Sequence, residues 1–564
     1  MSPITSRRRA LVALVGLGIG LASLAVVPAS AKAICAADGH PGGEWPMMGY
    51  DLGHSRHQIA ERSIGRLEAA RLQPAWTFSV NDATGEFPSE VTGYPIVSNG
   101  CVYFGSNAGQ LSPGWLFAVE ADGGQLVWKK KISNGVYSTA AVANGIVYFF
   151  ASRVGSPYVI ALDQFTGEEL WRTTVDRQSG SDAVSSPIVY DGMLWVGISG
   201  TAAEGDEATR FDFRGTFVIL DAGRSCANTV RHVALGADEV MDLETTCANA
   251  VTGATGGSIL AHTYSIPDTA WDEGEGDAGG AIWSTISIDE RTKYGFVGTG
   301  NPFNYENEHV HTNAALKIDM DRARPTFGQI TASYKGDVEE YFPAIAENFS
   351  CDEDDAIGFF LAGFECGRLD LDFGASPNII TDRTGRVLVG IGQKSGVYHV
   401  FDPAQLDENG NMTSVWKQVM GVPSLVGGIV GTPAYDGVAI YAPHTIGGYL
   451  AALDRGSGAH RWISPVGDGV HWGSPVTSAN GVIYTVDLKG FLDAYDASTG
   501  APLLHRPLPL SGDMGVTDTP FSWGGVTIAR NTVYASVGVG LTSAGEDFPA
   551  LPDGYVIAFR PKKI

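Results

Sequence analysis

The sequence predicts an all-β protein, an eight-bladed β-propeller built from four-stranded antiparallel blades. Three observations carry that prediction. One phrase recurs along the chain, an apolar strand ending in an acidic residue, then a turn with glycine and often a tryptophan. The strands before it, such as GIVYFFAS, GMLWVGIS and GVIYTVDL, alternate aromatic and β-branched residues in the manner of a half-buried antiparallel sheet. Glycine accounts for 73 of 564 residues, and amphipathic periods of helical length are scarce.

Taken in order, the chain opens with Arg7, Arg8 and Arg9, the apolar run ALVALVGLGIGLASLAVV and then PASAKA. This is the pattern of an export signal, with small residues at cleavage points after Ala31 or Ala33. Residues 1–33 are therefore expected to be a signal peptide and 34–564 a single propeller domain. The run is about as long as a short membrane span, so an uncleaved anchor is the alternative. Nothing later in the sequence approaches a second span.

The recurring phrase reads LFAVEADGGQLVW (116–128), VIALDQFTGEELW (159–171), FVILDAGR (217–224), ALKIDMDRA (315–323), YHVFDPAQL (398–406), YLAALDRGSGAHRW (449–462), FLDAYDASTGAPL (491–503) and, more loosely, YVIAFRPKK (555–563). A unit of this size cannot bury both of its faces alone. Copies must stack, and a ring that closes on itself leaves no exposed edge. In this reading the acidic residue accepts backbone N–H groups in the turn, and each tryptophan packs between neighbouring blades. Copies three to five are spaced widely, with insertions around 202–213, 226–276 and 335–370, and long loops on a regular ring commonly build a functional mouth.

The formal net charge of −25 repels phosphate-rich partners, which argues against nucleic acid and favours basic protein partners. Six cysteines follow the signal, with no CxxC or CxxCH, so neither a zinc knuckle nor a c-type haem is encoded. In an oxidising compartment Cys226 with Cys247 and Cys351 with Cys366 are the easiest pairs to close, leaving Cys35 with Cys101. His309 and His311 in HVH would face one way on a strand, a weak metal-binding pattern. No Walker loop, HExxH or nucleophile elbow is present.

The repeat phrase resembles the tryptophan-docking motif of the pyrroloquinoline quinone (PQQ)-dependent alcohol dehydrogenases, and the likeness runs almost from end to end. EWPMMGYDLGHSRHQ followed by LQPAWTFSV is similar to that family's entry strand. WVGISG, FRGTFVILD and GTGNP follow in the family's order. GQKSGVYHVFDP, GFLDAYDASTG and LDFGASP look most like the polyvinyl alcohol dehydrogenase branch.

That resemblance implies PQQ with Ca²⁺, or a lanthanide, as cofactors. Trp283, eighteen residues before Asn301, matches the indole floor on which the quinone stacks; as a residue alone it could equally pack between blades. Asn301 in GTGNP matches a metal ligand, its amide oxygen suiting a hard cation, although asparagine before proline also forms ordinary turns. Glu204 stands where the family places a second metal ligand, with Glu207 its rival. Asp372 in RLDLDFGASP matches the catalytic base and a metal-site carboxylate, with Asp370 as the alternative; the pair together resembles the lanthanide-dependent relatives. Lys394 in GQKSG matches the cation that contacts the quinone oxygens. The indole, the amide and an acid are expected from three separate blades.

The implied activity is oxidation of an alcohol, a secondary or polymeric one included, with electrons passed to a separate soluble acceptor such as a cytochrome c. Four departures weigh against it. The vicinal cysteines that clamp the quinone in many relatives should fall near 129–145, where none occurs. The arginine usually found just after them is missing, and the family's early glutamate is replaced by Thr92. The haem-binding segment common in the polyvinyl alcohol branch is also absent. The competing expectation is a cofactor-free propeller that serves as an envelope scaffold.

Overall fold

In the computed structural model the described residues are 35–563, apart from 36–38, 87–88, 109–111, 205–209, 225–229, 236–237, 244–254, 272–276, 305–306, 337–369, 424–426, 446, 468, 470–472, 474, 488, 509–523 and 539–553. The expected signal peptide and Cys226, Cys247, Cys351 and Cys366 lie outside them. The remaining expected pair is formed: Cys35 and Cys101 are disulfide-bonded across 66 residues, a loop whose closure stabilises the fold by about 4 kcal/mol in the chain-entropy account.

Eight antiparallel sheets follow one another along the chain as blades. Blade 1 begins with the strand Ile96–Ser98, blade 2 with Ala141–Ala143, blade 3 with Ile188–Tyr190 and blade 4 with Ser287–Asp289. Blade 5 begins with Asn378–Thr381, blade 6 with Ala434–Tyr435, blade 7 with Thr477–Ala479 and blade 8 with Thr527–Ala529. These short first strands touch those of neighbouring blades and so line the centre; Ile96–Ser98 meets Thr527–Ala529 and closes the circle. Blade 8 takes its outermost strand from the other end of the chain, where Leu72–Ser79 pairs antiparallel with Tyr555–Pro561. That pairing removes the edge an open array would expose.

The repeat does what its chemistry predicts. The Asp163 carboxylate accepts the N–H groups of Phe165 and Thr166 at 2.9 and 3.0 Å, and Asp496 accepts those of Ser498 and Thr499. Each following tryptophan crosses to the next blade. The Nε1–H groups of Trp128, Trp171 and Trp462 donate to the carbonyls of Gln164, Gly223 and Ala497 at 2.9–3.0 Å. Glycine is required beneath the indole, since a Cβ on Gly167 or Gly500 would fall 2.7–2.8 Å from the Trp128 or Trp462 ring.

Of the expected entry strand, LQPAWTFSV forms the strand Leu72–Ser79, whereas the segment Gly43–Gln58 before it runs as a strap across the central channel. Its carbonyls receive N–H groups from one blade after another: Gly43 from Arg530, Trp45 from Val97, Pro46 from Val142, Leu52 from Ile288, Gly53 from Ile379, Ser55 from Tyr435 and Arg56 from Ser478. Left-handed backbone at Tyr50, His54 and Arg56 (φ 77, 51 and 48°) bends the chain tightly enough to visit each blade. Only His57–Gln58 adds as a true strand, parallel to blade 7.

A ring of hydroxyls joins the blades just upstream of the inner strands. Thr139 Oγ1 accepts from Tyr94 N–H, Ser186 Oγ from Thr139, Thr285 Oγ1 from Ser186, Ser376 Oγ from Thr285 and Thr432 Oγ1 from Ser376, at 2.9–3.2 Å. All five hydroxyl residues are buried, where an unmade bond of this kind costs about 1–3 kcal/mol. The girdle therefore fixes blade-to-blade spacing from blade 1 to blade 6.

Candidate active site

The site residues stand upstream of this girdle, on the side away from the strap. Trp283 lies two residues before Thr285, in the run that enters blade 4. Its backbone is held by the turn after the blade's second strand, Tyr294–Gly298. Gly300 N–H donates to Ala281 O at 2.8 Å, and Gly280 N–H donates to Asn301 O at 2.9 Å. These bonds explain the spacing of Trp283 and Asn301, because one is registered directly against the other's turn. Both belong to blade 4, so the expectation that indole, amide and acid come from three blades is corrected: a β-hairpin brings the first two together.

Blade 5 supplies the charges. Asp370 and Asp372 precede its inner strand, and Lys394 follows its second strand, Val387–Gly392. Lys394 N–H donates to Asp372 O at 2.9 Å, which ties the two segments side by side. The Lys394 ammonium then lies 2.8 Å from Asp370 Oδ2 and 3.2 Å from Asp372 Oδ2, with all three side chains less than 10% exposed. Asp370 Oδ1 also accepts the Asp372 N–H at 3.3 Å. Lys394 Nζ is 5.5 Å from the centroid of the Trp283 ring.

Two glycines let these parts converge. A Cβ on Gly374 would sit 2.2 Å from the Trp283 ring, and one on Gly300 would sit 3.3 Å from Trp283 Nε1 and 3.5 Å from Asp372 Oδ2. The DFG segment thus lies bare against the indole edge, and the turn carrying Asn301 reaches the Asp372 carboxylate. Trp283 remains half-buried, as a floor for a flat guest must. Beside this, Arg214 underlies Gly279 through a parallel bridge and is stacked between Tyr264 and Trp271 at 3.7 and 4.2 Å.

The remaining expected ligand is less defined. Glu204 ends the short helix Thr201–Glu204 of blade 3, but its side chain lies outside the described residues, as does Glu207. Thr92 is buried and its hydroxyl donates to Tyr137 O at 3.2 Å. His309 and His311 are not on a strand. They occupy the turn before Ala314–Asp319 with rings edge to face at 4.7 Å, and burial with the neighbouring His311 and Lys335 holds His309 down to about 4. His311 Nδ1 is engaged by Ser265 O at 2.7 Å, so that nitrogen is already used. Sequence reasoning missed the girdle, although the repeated small hydroxyl residue in AVSSP, IWSTI, FGASP and VGTP was its signal.

The donor set suits a planar quinone with a hard cation at its rim: an exposed indole face, two carboxylates and an amide-bearing turn as oxygen donors, and one fixed ammonium. Taken with the ring of eight blades, these features resemble those of a PQQ-type, alcohol-dehydrogenase-like propeller. Comparison with known proteins agrees. A family profile described as outer membrane protein assembly factor BamB matches residues 112–215 and 411–543, less than half of the chain. The polyvinylalcohol dehydrogenase of a Pseudomonas species is 23% identical over 549 residues, covering 88% of this chain and 73% of that protein. The quinohemoprotein alcohol dehydrogenase of Comamonas testosteroni superimposes with a TM-score of 0.62 at 17% identity, over 94% of this chain and 82% of that one. A europium-containing methanol dehydrogenase does so at 0.60 and 15%, over 92% and 98%. At these identities the structural matches speak to the fold. Among the described residues, no helix is long and apolar enough to cross a membrane.

Proposed function

We propose that the protein is an exported quinoprotein dehydrogenase that oxidises an alcohol, secondary and polymeric alcohols of the polyvinyl type included, using PQQ and Ca²⁺ or a lanthanide. The observation that carries this reading is the meeting of Trp283, Asp370, Asp372 and Lys394 at one mouth between blades 4 and 5. A scaffold has no use for a buried acid–base–acid group beside a half-exposed indole.

In this reading the bound quinone and cation supply the hydride acceptor and the Lewis acid. The chain's own residues do the rest. Trp283 supports the ring, Asn301, Asp372 and Glu204 hold the cation, and Lys394 lies at the charged edge. Asp372 takes the proton of the substrate hydroxyl as general base. Asp370 is bonded to Lys394 and to a backbone N–H, while Asp372 stands in the LDFGASP segment beside the turn that carries Asn301, the position that fits the base. The Lys394 ammonium stands between the two carboxylates, 2.8 and 3.2 Å from them. The hydroxyl girdle keeps these groups in register.

With no CxxCH in the chain, electrons leave to a separate carrier, and the acidic surface favours a basic cytochrome c. The leader at 1–33 directs the protein out of the cytoplasm, leaving 34–564 as one propeller domain. The alternative, a cofactor-free envelope scaffold, is favoured by the match to the assembly-factor profile and by the missing cysteine clamp. Dye-linked oxidation by purified protein reconstituted with PQQ and either Ca²⁺ or La³⁺ separates the two. Turnover of short or oligomeric secondary alcohols is expected. No quinone retained with either metal would leave the scaffold.

A further inference from the structure

Beneath the mouth, a line of buried polar groups runs from the last strand of blade 4, Ile330–Lys335, through the third strand of blade 5, Val397–Leu406, to the segment that carries the two carboxylates. Tyr334 Oη is 3.1 Å from His399 Nδ1. His399 Nε2 is 3.1 Å from Gln393 Oε1, and Gln393 Nε2 donates at 2.9 Å to the carbonyl of Leu371, the residue between Asp370 and Asp372. Ser395 Oγ adds a second donor to Gln393 Oε1 at 2.6 Å. Gln393, Ser395 and His399 are fully buried. A Cβ on Gly336 would fall 2.6–3.0 Å from Phe373, His399 and Gln393, so the layer has no room to shift.

The direction of each bond follows from the last one. A carbonyl cannot donate, so the Gln393 amide must face Leu371 with its nitrogen and His399 with its oxygen. His399 must then carry its proton on Nε2, which leaves Nδ1 bare to accept from the Tyr334 hydroxyl. Burial holds His399 down to about 3, so the ring stays neutral and this tautomer persists. Polarity runs one way, from Tyr334 through His399 and Gln393 to Leu371.

We propose that Tyr334, His399 and Gln393 are positioning residues that fix the Asp370–Leu371–Asp372 segment against Lys394, and so set the separation of the two carboxylates. The inference rests on the reading of this mouth as a quinone and cation site. Gln393 does its work through adjacency: its side chain holds Leu371 O while the next residue, Lys394, holds Asp372 O through its N–H and both carboxylates through its ammonium. Two consecutive residues thus grip two consecutive carbonyls.

The test uses Tb³⁺ alone as the probe, read as luminescence sensitised by the indole of the site; the component lost in Trp283→Phe is the one from this mouth. In Gln393→Met, which keeps the side-chain length and removes donor and acceptor, that component's affinity is expected to fall about 10- to 100-fold, the range for groups that orient metal ligands. Circular dichroism and melting temperature should change little. Tyr334→Phe removes only the hydroxyl, two bonds further from the carboxylate segment, and should weaken Tb³⁺ about threefold, below the 10- to 100-fold expected of Gln393→Met; it decides the matter if Gln393→Met does not fold. Affinities within 1.5-fold of wild type in the folded variants would overturn the positioning role and leave the functional reading in place. A wild-type protein that binds neither Tb³⁺ nor PQQ at this mouth would overturn both.

Discussion

Replacing Lys394 by methionine keeps the length of the side chain and removes the ammonium that stands between two buried carboxylates, 2.8 Å from Asp370 and 3.2 Å from Asp372. Breaking a buried ion pair from one side typically costs about 3–5 kcal/mol. Here the cost has a ceiling, because a stranded carboxyl can take up a proton. For an acid with an ordinary pKa of about 3.9, protonation at pH 7 costs about 4 kcal/mol, and about 1.4 kcal/mol less for each unit the pH is lowered. Lys394→Met should therefore be about 3–4 kcal/mol less stable than wild type at pH 7 but only about 1–1.5 kcal/mol less stable at pH 5, read from urea unfolding at each pH. Ca²⁺ or La³⁺ should restore more stability to the variant than to wild type, since a cation replaces the missing ammonium. A loss that is the same at both pH values, or no loss at all, would refute the claim that Lys394 neutralises the pair.

Trp171→Ala removes a fully buried indole that bonds to Gly223 of the next blade, and a loss of about 3–5 kcal/mol in chemical unfolding is expected. Thr285→Val and Ser376→Ala each break one link of the girdle and should cost about 1–3 kcal/mol; of the two, Thr285→Val should also loosen PQQ retention, because Trp283 is two residues away. Burial holds both His54 and His399 down to about 3 from 6.5. The folded state therefore binds fewer protons than the unfolded chain between those values, so stability is full above pH 6.5 and falls as the pH drops towards 3, by about 1.4 kcal/mol per unit for each ring. Melting temperatures measured from pH 7 to 4.5 should show this slope, and His54→Gln should remove its own share of it, about 1.4 kcal/mol per pH unit.

What could be seen in the sequence was whatever local chemistry repeats. An acid that must accept turn N–H groups, a glycine that must lie under an indole and the indole itself recur from blade to blade in several of the copies, so Asp163, Gly167 and Trp171 announce both the strand and its neighbour. Trp283, Asp372 and Lys394 were legible through the family's pattern, and the structure brings them together with Asp370. The grouping by blade was not: a hairpin bond between Gly280 and Asn301 places indole and amide on one blade, and no spacing rule distinguishes that from two blades. The strap was hidden for a different reason. Its contacts are single carbonyls offered to blade after blade, with left-handed turns at Tyr50, His54 and Arg56, and backbone bonds of that kind leave no side-chain period to read. Gln393 and His399 were passed over because a buried amide just past one strand and a buried imidazole within the next look like core until their partners are known.

The most direct test is a titration of the purified protein with PQQ in the presence of Ca²⁺ or La³⁺, followed by quenching of indole fluorescence. The account predicts saturable binding of one quinone per chain that needs the cation, is lost in Trp283→Ala and is weakened in Asp372→Asn. Quinone binding that survives both substitutions unchanged, or none with either cation, would contradict it.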